Sequence, residues 1–286
     1  MVDFCPGSRF EKQKGQVLLI VVLVMIVALT VGLSLISRSI TNLRTSTEEA
    51  ESQKALAAAE AGIEQALESG QDIQLASFES GDVSIQYSTD VEAVDGTEFL
   101  VNGGNTVAKD DGADVWLSEY SNDDTIFTVG RTSGSLTIYW GEGTGACQSA
   151  ALEITLISGL KDNPTIDRFT AEPCNSGINR KSFNSFGDAN PEPANSVLID
   201  GKTYDFRWSK RIPNSGTFTN GLILRIVPVY YDAKIGIKAS TALPLQGNLI
   251  TSTGEAGKTH RKINVFQGHP RIPAELLPYA IFSPEN

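Results

Sequence analysis

KGQVLLIVVLVMIVALTVGLSLISR, residues 14–38, is the stretch from which the architecture of this chain follows. Between Lys14 and Arg38 lie 23 residues without an ionisable side chain. About 20 consecutive apolar residues are enough for a helix to span a bilayer. A secretory signal has a shorter apolar core, about 7–15 residues, and a small-residue cleavage motif, and no A-x-A motif follows here. The sequence therefore predicts a transmembrane helix over about residues 16–37.

The charges that flank the apolar run predict its orientation. Arg9, Lys12 and Lys14 precede it, and Glu48, Glu49 and Glu51 follow it; Arg38 and Arg44 also follow it and weaken the contrast. Basic segments beside a transmembrane helix stay in the cytoplasm. We therefore expect a single-pass protein of the cell membrane, with residues 1–15 as a cytoplasmic leader. The chain beyond about Arg38 is expected to be extracytoplasmic.

The helix is predicted to continue beyond the membrane. No proline occurs between Pro6 and Pro164, and the segment after Arg38 is rich in Ala, Glu, Lys, Gln and Leu, which favour helix. Ser69-Gly70 is a suitable C-terminal stop, so one helix is expected over residues 16–69. Its outer half carries small residues that allow close backbone approach: Ala55, Ala58, Ala59, Ala61 and Gly62. These residues are predicted to serve helix packing; the last few turns are expected to pack on the chain's own β-domain, which is compatible with further helix contacts lower down.

Residues 70–286 are predicted to be β-rich. Segments such as "SLTIYW", "ALEITLIS" and "GLILRIVPVYY" have the composition and length of strands, and turns are expected at Asp95-Gly96, at Asp200-Gly201 and at 254–257. The predicted fold class is α+β, with an antiparallel sheet or sandwich packed on the end of the long helix. A division into two domains near residues 130–135 is an alternative to one continuous domain.

The composition restricts the partners. The net charge is −11 and the pI is about 4.7, which argues against binding to nucleic acid. The charge is uneven: residues 70–130 carry 13 acidic side chains and one basic, whereas residues 200–286 carry 11 basic and 6 acidic. This asymmetry indicates either two solvated surfaces or a head-to-tail contact between subunits.

Two of the three cysteines, Cys147 and Cys174, lie in the predicted extracytoplasmic part, whereas Cys5 lies in the leader. Cysteines in an oxidising compartment commonly pair, so a Cys147–Cys174 disulfide is predicted. Two buried free thiols are the alternative.

No motif predicts catalysis or a cofactor. "WGEGTGA", residues 140–146, follows a strand, but the text after it is strand-like, which favours a β-turn over a dinucleotide loop. The aspartates of residues 110–124 lack calcium-loop spacing and are interpreted as solvated carboxylates, with a calcium site as the alternative: Asp110, Asp111, Asp114, Asp123 and Asp124. His260 and His269 have no third ligand in pattern for zinc. We expect neither an enzyme, nor a metal, nor a cofactor.

The N-terminal quarter resembles a known family. A basic leader ending in Lys14-Gly15, an apolar helix and then "AAAEAGIEQAL" occur in the order found in type IV pilin-like proteins. More narrowly, residues 12–68 resemble the N-terminal module of PilX-type minor pilins and of K-type pseudopilins. "NLITSTGEAGKTHRKINVF" is similar to the closing hairpin of such proteins. The resemblance implies cleavage by a prepilin peptidase between Gly15 and Gln16, and packing against other pilin-like subunits through the helix.

Two positions depart from the usual family pattern. Gln16 replaces the aromatic residue or Met that follows the cleaved Gly, and Ile20 replaces Glu at the fifth mature position. Absence of this Glu is typical of the K-type subgroup, so the resemblance favours a minor subunit at or near the filament tip. The alternative is a single-pass anchored β-domain that binds a surface ligand without polymerising.

Overall fold

The computed structural model describes residues 16–80, 83–123, 125–143, 145–174 and 192–271. One helix, α1, runs over Gln16–Ser69. Its 54 residues give a length of about 80 Å at 1.5 Å per residue. The chain leaves the helix through Gly70, which has φ +66° and donates its N–H to the Ala66 carbonyl at 2.8 Å. The predicted bounds and the predicted stop are confirmed.

The rest of the described chain is almost entirely β-structure, which confirms the α+β class. The strands, in chain order, are β1 Ile73–Ser80, β2 Val83–Leu100, β3 Ala113–Trp116, β4 Thr132–Gly134, β5 Leu136–Trp140, β6 Ala151–Leu160, β7 Asn163–Ala171, β8 Glu192–Pro193, β9 Val197–Ile199, β10 Lys202–Tyr204, β11 Trp208–Ile212, β12 Phe218–Val229, β13 Gly236–Ala256 and β14 Thr259–Gly268. Short 3-10 turns occur at Val101–Gly104 and Ala146–Gln148.

The strands form two main sheets with antiparallel pairing. The larger sheet has the order β1-β2-β13-β5-β11-β8, with β14 also paired to β13. The second has the order β3-β12-β6-β7, with β4 beside β12, and β9 and β10 form a separate ribbon. The 21-residue strand β13 organises the larger sheet, because residues 236–239 pair with β5 and residues 247–256 pair with β14.

Two regions follow from this layout. We call the four-stranded part made of β1, β2, β14 and residues 247–256 of β13 the anchor sheet, because α1 packs across it. Above it, the remaining strands of the two sheets form a sandwich. Its core contains large buried side chains from both sheets, including Ile138, Trp140, Leu152, Ile154 and Leu224.

The turn predicted at Asp95-Gly96 is wrong. Strand β2 runs without interruption from Val83 to Leu100, and Gly96 lies inside it with φ +89°. The pairing of β2 with β13 shifts register on both sides of the Leu243–Gly96 pair. The glycine therefore accommodates an irregularity in a long strand rather than a chain reversal. The Asp200-Gly201 turn does join two strands, β9 and β10.

The predicted hairpin near the C-terminus is present as β13 and β14, with its turn at Gly257-Lys258. Gly254 lies within β13 and not in the turn. Because β13 bonds to both β2 and β5, the segments on either side of residues 130–135 belong to one sheet. The division near 130–135 stays a prediction.

The predicted disulfide joins Cys147 to Cys174, with the two Cα atoms 4.4 Å apart. It ties the 3-10 turn before β6 to the segment that follows β7. The buried Glu172 carboxylate accepts a hydrogen bond from the Cys174 backbone N–H at 2.9 Å. The alternative of two free thiols is therefore wrong.

Candidate assembly surface

The membrane-length part of α1 is apolar and uncovered. Every residue from Leu18 to Ala50 is exposed except Gly32, which is half-buried. Leu18 is 69% exposed and Met25 is 68% exposed. This is the one helix of the described chain that is long and apolar enough to cross a membrane. Such a surface is unfavourable in water, because each fully exposed large aliphatic side chain forgoes about 1.5–3 kcal/mol of burial.

The few polar side chains of this helix are compatible with an apolar surrounding. The hydroxyl of Thr30 donates to the Val27 carbonyl at 2.8 Å. Farther along, Thr41 and Thr45 bond the carbonyls one turn below them, at 3.0 and 3.1 Å. A hydroxyl that bonds its own helix needs no water, so Thr30 can lie within the hydrocarbon layer.

The last five turns of α1 pack closely on the anchor sheet. Ala55, Ala58, Ala59 and Ala66 have no exposed surface. A Cβ built on Gly254 would lie 2.0 Å from the Ala55 carbonyl oxygen and 2.5 Å from the Ala59 nitrogen. Backbone therefore rests directly on backbone at this point, and only glycine fits.

Gly62 has the same role from the helix side. Its built Cβ would lie 2.4 Å from the Ser252 hydroxyl and 2.9 Å from the Tyr87 ring. Four of the five residues predicted for helix packing, Ala55, Ala58, Ala59 and Gly62, thus contact the chain's own sheet, as expected for the last few turns. The fifth, Ala61, is half-buried.

Polar contacts hold the hairpin tip to the helix. The Glu51 carboxylate accepts the backbone N–H of Lys258 at 3.4 Å, and the Arg261 Nε donates to the Ser52 hydroxyl at 2.9 Å. Below the tip, an open groove of ≈ 950 Å³ separates the hairpin from Ile40 and Leu43 of the helix. In the sequence, Glu51 stands out only as an acidic flank of the apolar run, Gly254 only as part of a predicted turn, and Ser52 not at all. The signal for this contact is a glycine near the end of a predicted strand, which often marks close backbone approach.

The predicted processing site lies at the N-terminal limit of the described residues. Gln16 is the first residue of α1, and Gly15 lies outside the described residues. Ile20 lies one turn into the helix and is 54% exposed. Ile20 thus belongs to the exposed, mainly apolar helix surface that extends from Leu18 to Ile36.

The predicted aspartate group is divided among separate contacts. Asp114 accepts both Nε and a terminal N–H of buried Arg225, at 2.7 and 2.9 Å, across β3 and β12. Asp111 pairs with Arg271 at 2.7 Å. Hydrogen bonds from Ser121 and Thr125 lower the pKa of Asp123 to about 2. Asp110 is exposed in a turn and Asp124 lies outside the described residues; no metal-binding group of three acidic, His or Cys side chains occurs in the described ranges.

The two histidines lie apart in different surroundings. His260 is an exposed residue of β14 whose Nδ1 is 3.1 Å from the Glu255 carboxylate. His269 is half-buried, stacks on Tyr120 with ring centroids 4.4 Å apart, and has its Nε2 2.9 Å from the Leu245 carbonyl. Burial lowers the pKa of His269 and outweighs the opposing effect of that carbonyl.

"WGEGTGA" connects β5 to β6 through a turn, as the β-turn interpretation predicts. Gly141 and Gly143 have φ +78° and +63°, and a single 3-10 turn, Ala146–Gln148, follows. A dinucleotide loop requires a long helix at this position, whose N-terminus binds the pyrophosphate. The conformation here is that of a strand-to-strand connection.

A cavity of ≈ 220 Å³ lies between the 3-10 turn at Val101–Gly104, β3 and the end of β14. Its polar lining is engaged within the protein. The Gln246 side chain accepts the Trp116 N–H at 2.8 Å and donates to the Trp116 carbonyl at 2.9 Å, while Arg271 pairs with Asp111. Such a lining gives little support to ligand binding, because these groups would have to exchange internal hydrogen bonds for external ones.

No family model, no curated protein and no solved structure matches this chain.

Proposed function

We propose that this chain is a minor pilin or pseudopilin, a membrane-anchored structural subunit that enters a type IV pilus-like filament at or near its tip. The observation that carries the proposal is the contrast along α1. Residues 18–50 project from the β-domain with an apolar surface as far as Ile36 and a mostly polar one beyond it, whereas the last five turns are fixed to the anchor sheet. A rigid domain on a projecting apolar helix suits a subunit that exchanges lipid for other helices.

The projecting part of α1 is longer than a membrane needs. At 1.5 Å per residue it is about 50 Å long, whereas the hydrocarbon core is about 30 Å thick. The segment between Arg38 and Glu51 would then raise the β-domain above the bilayer surface. Exposed Ile40 and Leu43 lie on this raised segment, where a neighbouring helix can cover them.

Ile20 supports the tip position. In the family that the N-terminal module resembles, Glu at the fifth mature position pairs with the amine of the subunit above. An ionised carboxylate without a partner is unfavourable within the hydrocarbon layer. In a subunit with no neighbour above it, an apolar residue such as Ile20 at this position avoids leaving an unpaired carboxylate in the membrane. The N-terminal ammonium of Gln16 released by cleavage would still donate hydrogen bonds to a carboxylate of the subunit below.

The mass of the protein from its native envelope tests processing. A chain that begins at Gln16 supports the proposal, and one that retains Met1 or Val2 contradicts it. Gly15→Ala should retain the leader, because in the family that the N-terminal module resembles the peptidase requires a glycine before the cut. Gly32→Ala is the matched control: a Cβ there meets no atom within 4 Å, so cleavage should be unchanged.

Filament assembly provides the second test. Deleting the gene should strongly reduce assembly, and the protein should be substoichiometric in sheared filaments. Ile20→Glu should give no gain in assembly and should hinder membrane insertion. If this chain is the most abundant subunit, or if filaments form normally without it, the proposal is wrong. Normal filaments together with loss of a surface-binding phenotype would instead support the anchored β-domain alternative.

A further inference from the structure

The anchor sheet has two free edges with complementary composition. Within the described residues, β1 pairs with β2 alone and β14 pairs with β13 alone. An unpaired edge presents a row of backbone donors and acceptors that can bind another strand. The edges are long, 8 residues in β1 and 10 in β14.

The charges of the two edges are opposite. In the sequence, β1 and the residue before it carry two acidic residues and no basic one, Asp72 and Glu79. Residues 257–268, which contain β14 and its turn, carry three basic residues and no acidic one: Lys258, Arg261 and Lys262. Basic residues on an edge normally discourage pairing with a like strand. They favour pairing when the incoming strand is acidic.

Exposed apolar side chains lie on β1 itself and on the part of α1 that packs near β14. On β1, Leu75 is 63% exposed and Phe78 is 43% exposed. Beside β14 lies Leu56, 42% exposed and one helical turn above Ser52, which bonds Arg261. Leu67, 38% exposed, lies one turn above Ile63, which packs against β14.

The apolar and charged positions of the two edges lie at matching heights along the strands of the anchor sheet. Phe78 pairs with Ile85, which lies in one cluster with Ala55, the neighbour of Leu56. Glu79 is one residue beyond this row, at the level of Lys258 in the hairpin turn. Two copies held at the same height by their membrane helices would therefore bring position 79 of one copy level with Lys258 of the next, and the row of Phe78 level with that of Leu56.

We propose that two copies of this chain, side by side in one membrane, join their anchor sheets edge to edge, with β14 of one copy against β1 of the next. Strand directions permit it: β1, β2, β13 and β14 alternate, so β14 meets the next β1 antiparallel when both copies have the same orientation. The interface is heterologous and leaves a free edge at each end, where a further subunit can add.

This contact is distinct from helix packing in a filament. Four strand spacings of about 4.8 Å place equivalent points of the two copies about 19 Å apart, whereas packed helices approach to about 8–10 Å. The pairing therefore requires the membrane anchoring of the proposed function, but neither leader cleavage nor polymerisation.

Cysteine pairing tests the interface. Ser77 and His260 lie in one row of the anchor sheet, connected through Gln86 and Glu255. Within a chain they are three strands apart, about 14 Å, too far for a disulfide. Across the proposed interface they are direct neighbours, with Cα atoms about 4.5–5.5 Å apart.

The experiment uses full-length protein in native membranes, with Cys5→Ser in every variant. Differently tagged Ser77→Cys and His260→Cys chains are co-expressed and oxidised. We expect a mixed disulfide dimer at least five-fold more abundant than with Ser77→Cys and Asn264→Cys, since Asn264 lies on the same face four residues farther along β14. Each single variant alone should give no dimer.

Absence of the mixed dimer, equal yields with Asn264→Cys, or dimers from one variant alone would overturn the proposal. Charge exchange provides an independent measurement: Lys258→Glu should reduce the dimer several-fold, and adding Glu79→Lys should restore it. Lys109→Glu, outside the anchor sheet, should have no effect. Repeating the oxidation in Gly15→Ala chains tests the interface separately from the proposed processing. If uncleaved chains still form the mixed dimer, the interface is supported whatever the outcome of the processing test.

Discussion

The helix–sheet contact and the sandwich core are held together in opposite ways. Where α1 meets the anchor sheet, the helix contributes mostly alanines and Gly62, with Ile63 as its one large buried side chain, and the helix backbone touches Gly254. In the sandwich, large side chains such as Trp140, Leu152 and Ile154 fill the space between sheets. The first contact depends on the absence of side-chain volume and the second on its presence. Opposite substitutions should therefore damage the two regions.

Removing volume from the sandwich should have the largest effect. Trp140 is fully buried, and its indole Nε1 donates to the Ala150 carbonyl at 2.9 Å. Trp140→Ala should lower the free energy of unfolding by about 3–5 kcal/mol through the cavity it leaves. Thermal unfolding of the full chain in detergent, followed by far-UV circular dichroism, measures this. Thr137→Ala, on the half-buried face of the same strand, is the control, and an equal loss there would contradict the volume argument.

The disulfide supports the sandwich alone, so breaking it should leave the helix contact intact. Its 27-residue separation predicts a loss of about 3–4 kcal/mol on removal in the chain-entropy model. Cys147→Ser with Cys174→Ser should lower the unfolding temperature, while protease protection of residues 51–69 stays unchanged. Cys5→Ser serves as the control. Loss of protection in the helix would show that the two regions are not separable in this way.

Adding volume to the helix contact should act in the other direction. The Cβ of Gly254→Ala would lie 2.0 Å from a backbone oxygen that cannot rotate away. The helix or strand must shift, at a cost of about 1–3 kcal/mol. Gly254→Ala should therefore speed proteolysis within residues 51–69 and leave the unfolding temperature of the sandwich nearly unchanged. Gly32→Ala adds the same methyl where nothing lies within 4 Å and should not alter proteolysis; equal cleavage in both variants would refute close approach.

How far the sequence predicts these features depends on whether the signal is local. The bounds of α1 follow from an apolar run, good helix formers and Ser69-Gly70, all of which are local. The disulfide prediction follows from the expected oxidising compartment and from the presence of two cysteines, Cys147 and Cys174, in the predicted extracytoplasmic part. The partner of Ala55 does not, because a small residue permits close approach to any backbone. Its contact with Gly254 joins positions 199 residues apart in sequence.

The same distinction explains the error at Asp95-Gly96. This dipeptide is a strong local hairpin signal, and local turn preference predicts a reversal there. The long partner strand β13 instead holds β2 extended through Gly96 with a shifted register. Tertiary pairing thus overrides the local signal. The edge charges of β1 and β14 are visible in the sequence, but their common level becomes apparent only from the register of all four strands.

The smallest expected effect is a pH dependence where the anchor sheet meets the sandwich, at His269 beyond the end of β14. Burial lowers the pKa of His269 in the folded protein, so the unfolded chain binds a proton more readily. Stability contributed by the neutral ring is therefore complete above the unfolded pKa of about 6.5 and declines as the pH falls from there toward the folded pKa. His269→Gln should reduce the fall in unfolding temperature between pH 7.5 and 5.5, since an amide can still donate to the Leu245 carbonyl. His260→Gln removes an exposed ring paired with Glu255 and is the matched comparison. A fall that persists unchanged in His269→Gln would assign the pH dependence to other groups and leave the junction between the two regions insensitive to this proton.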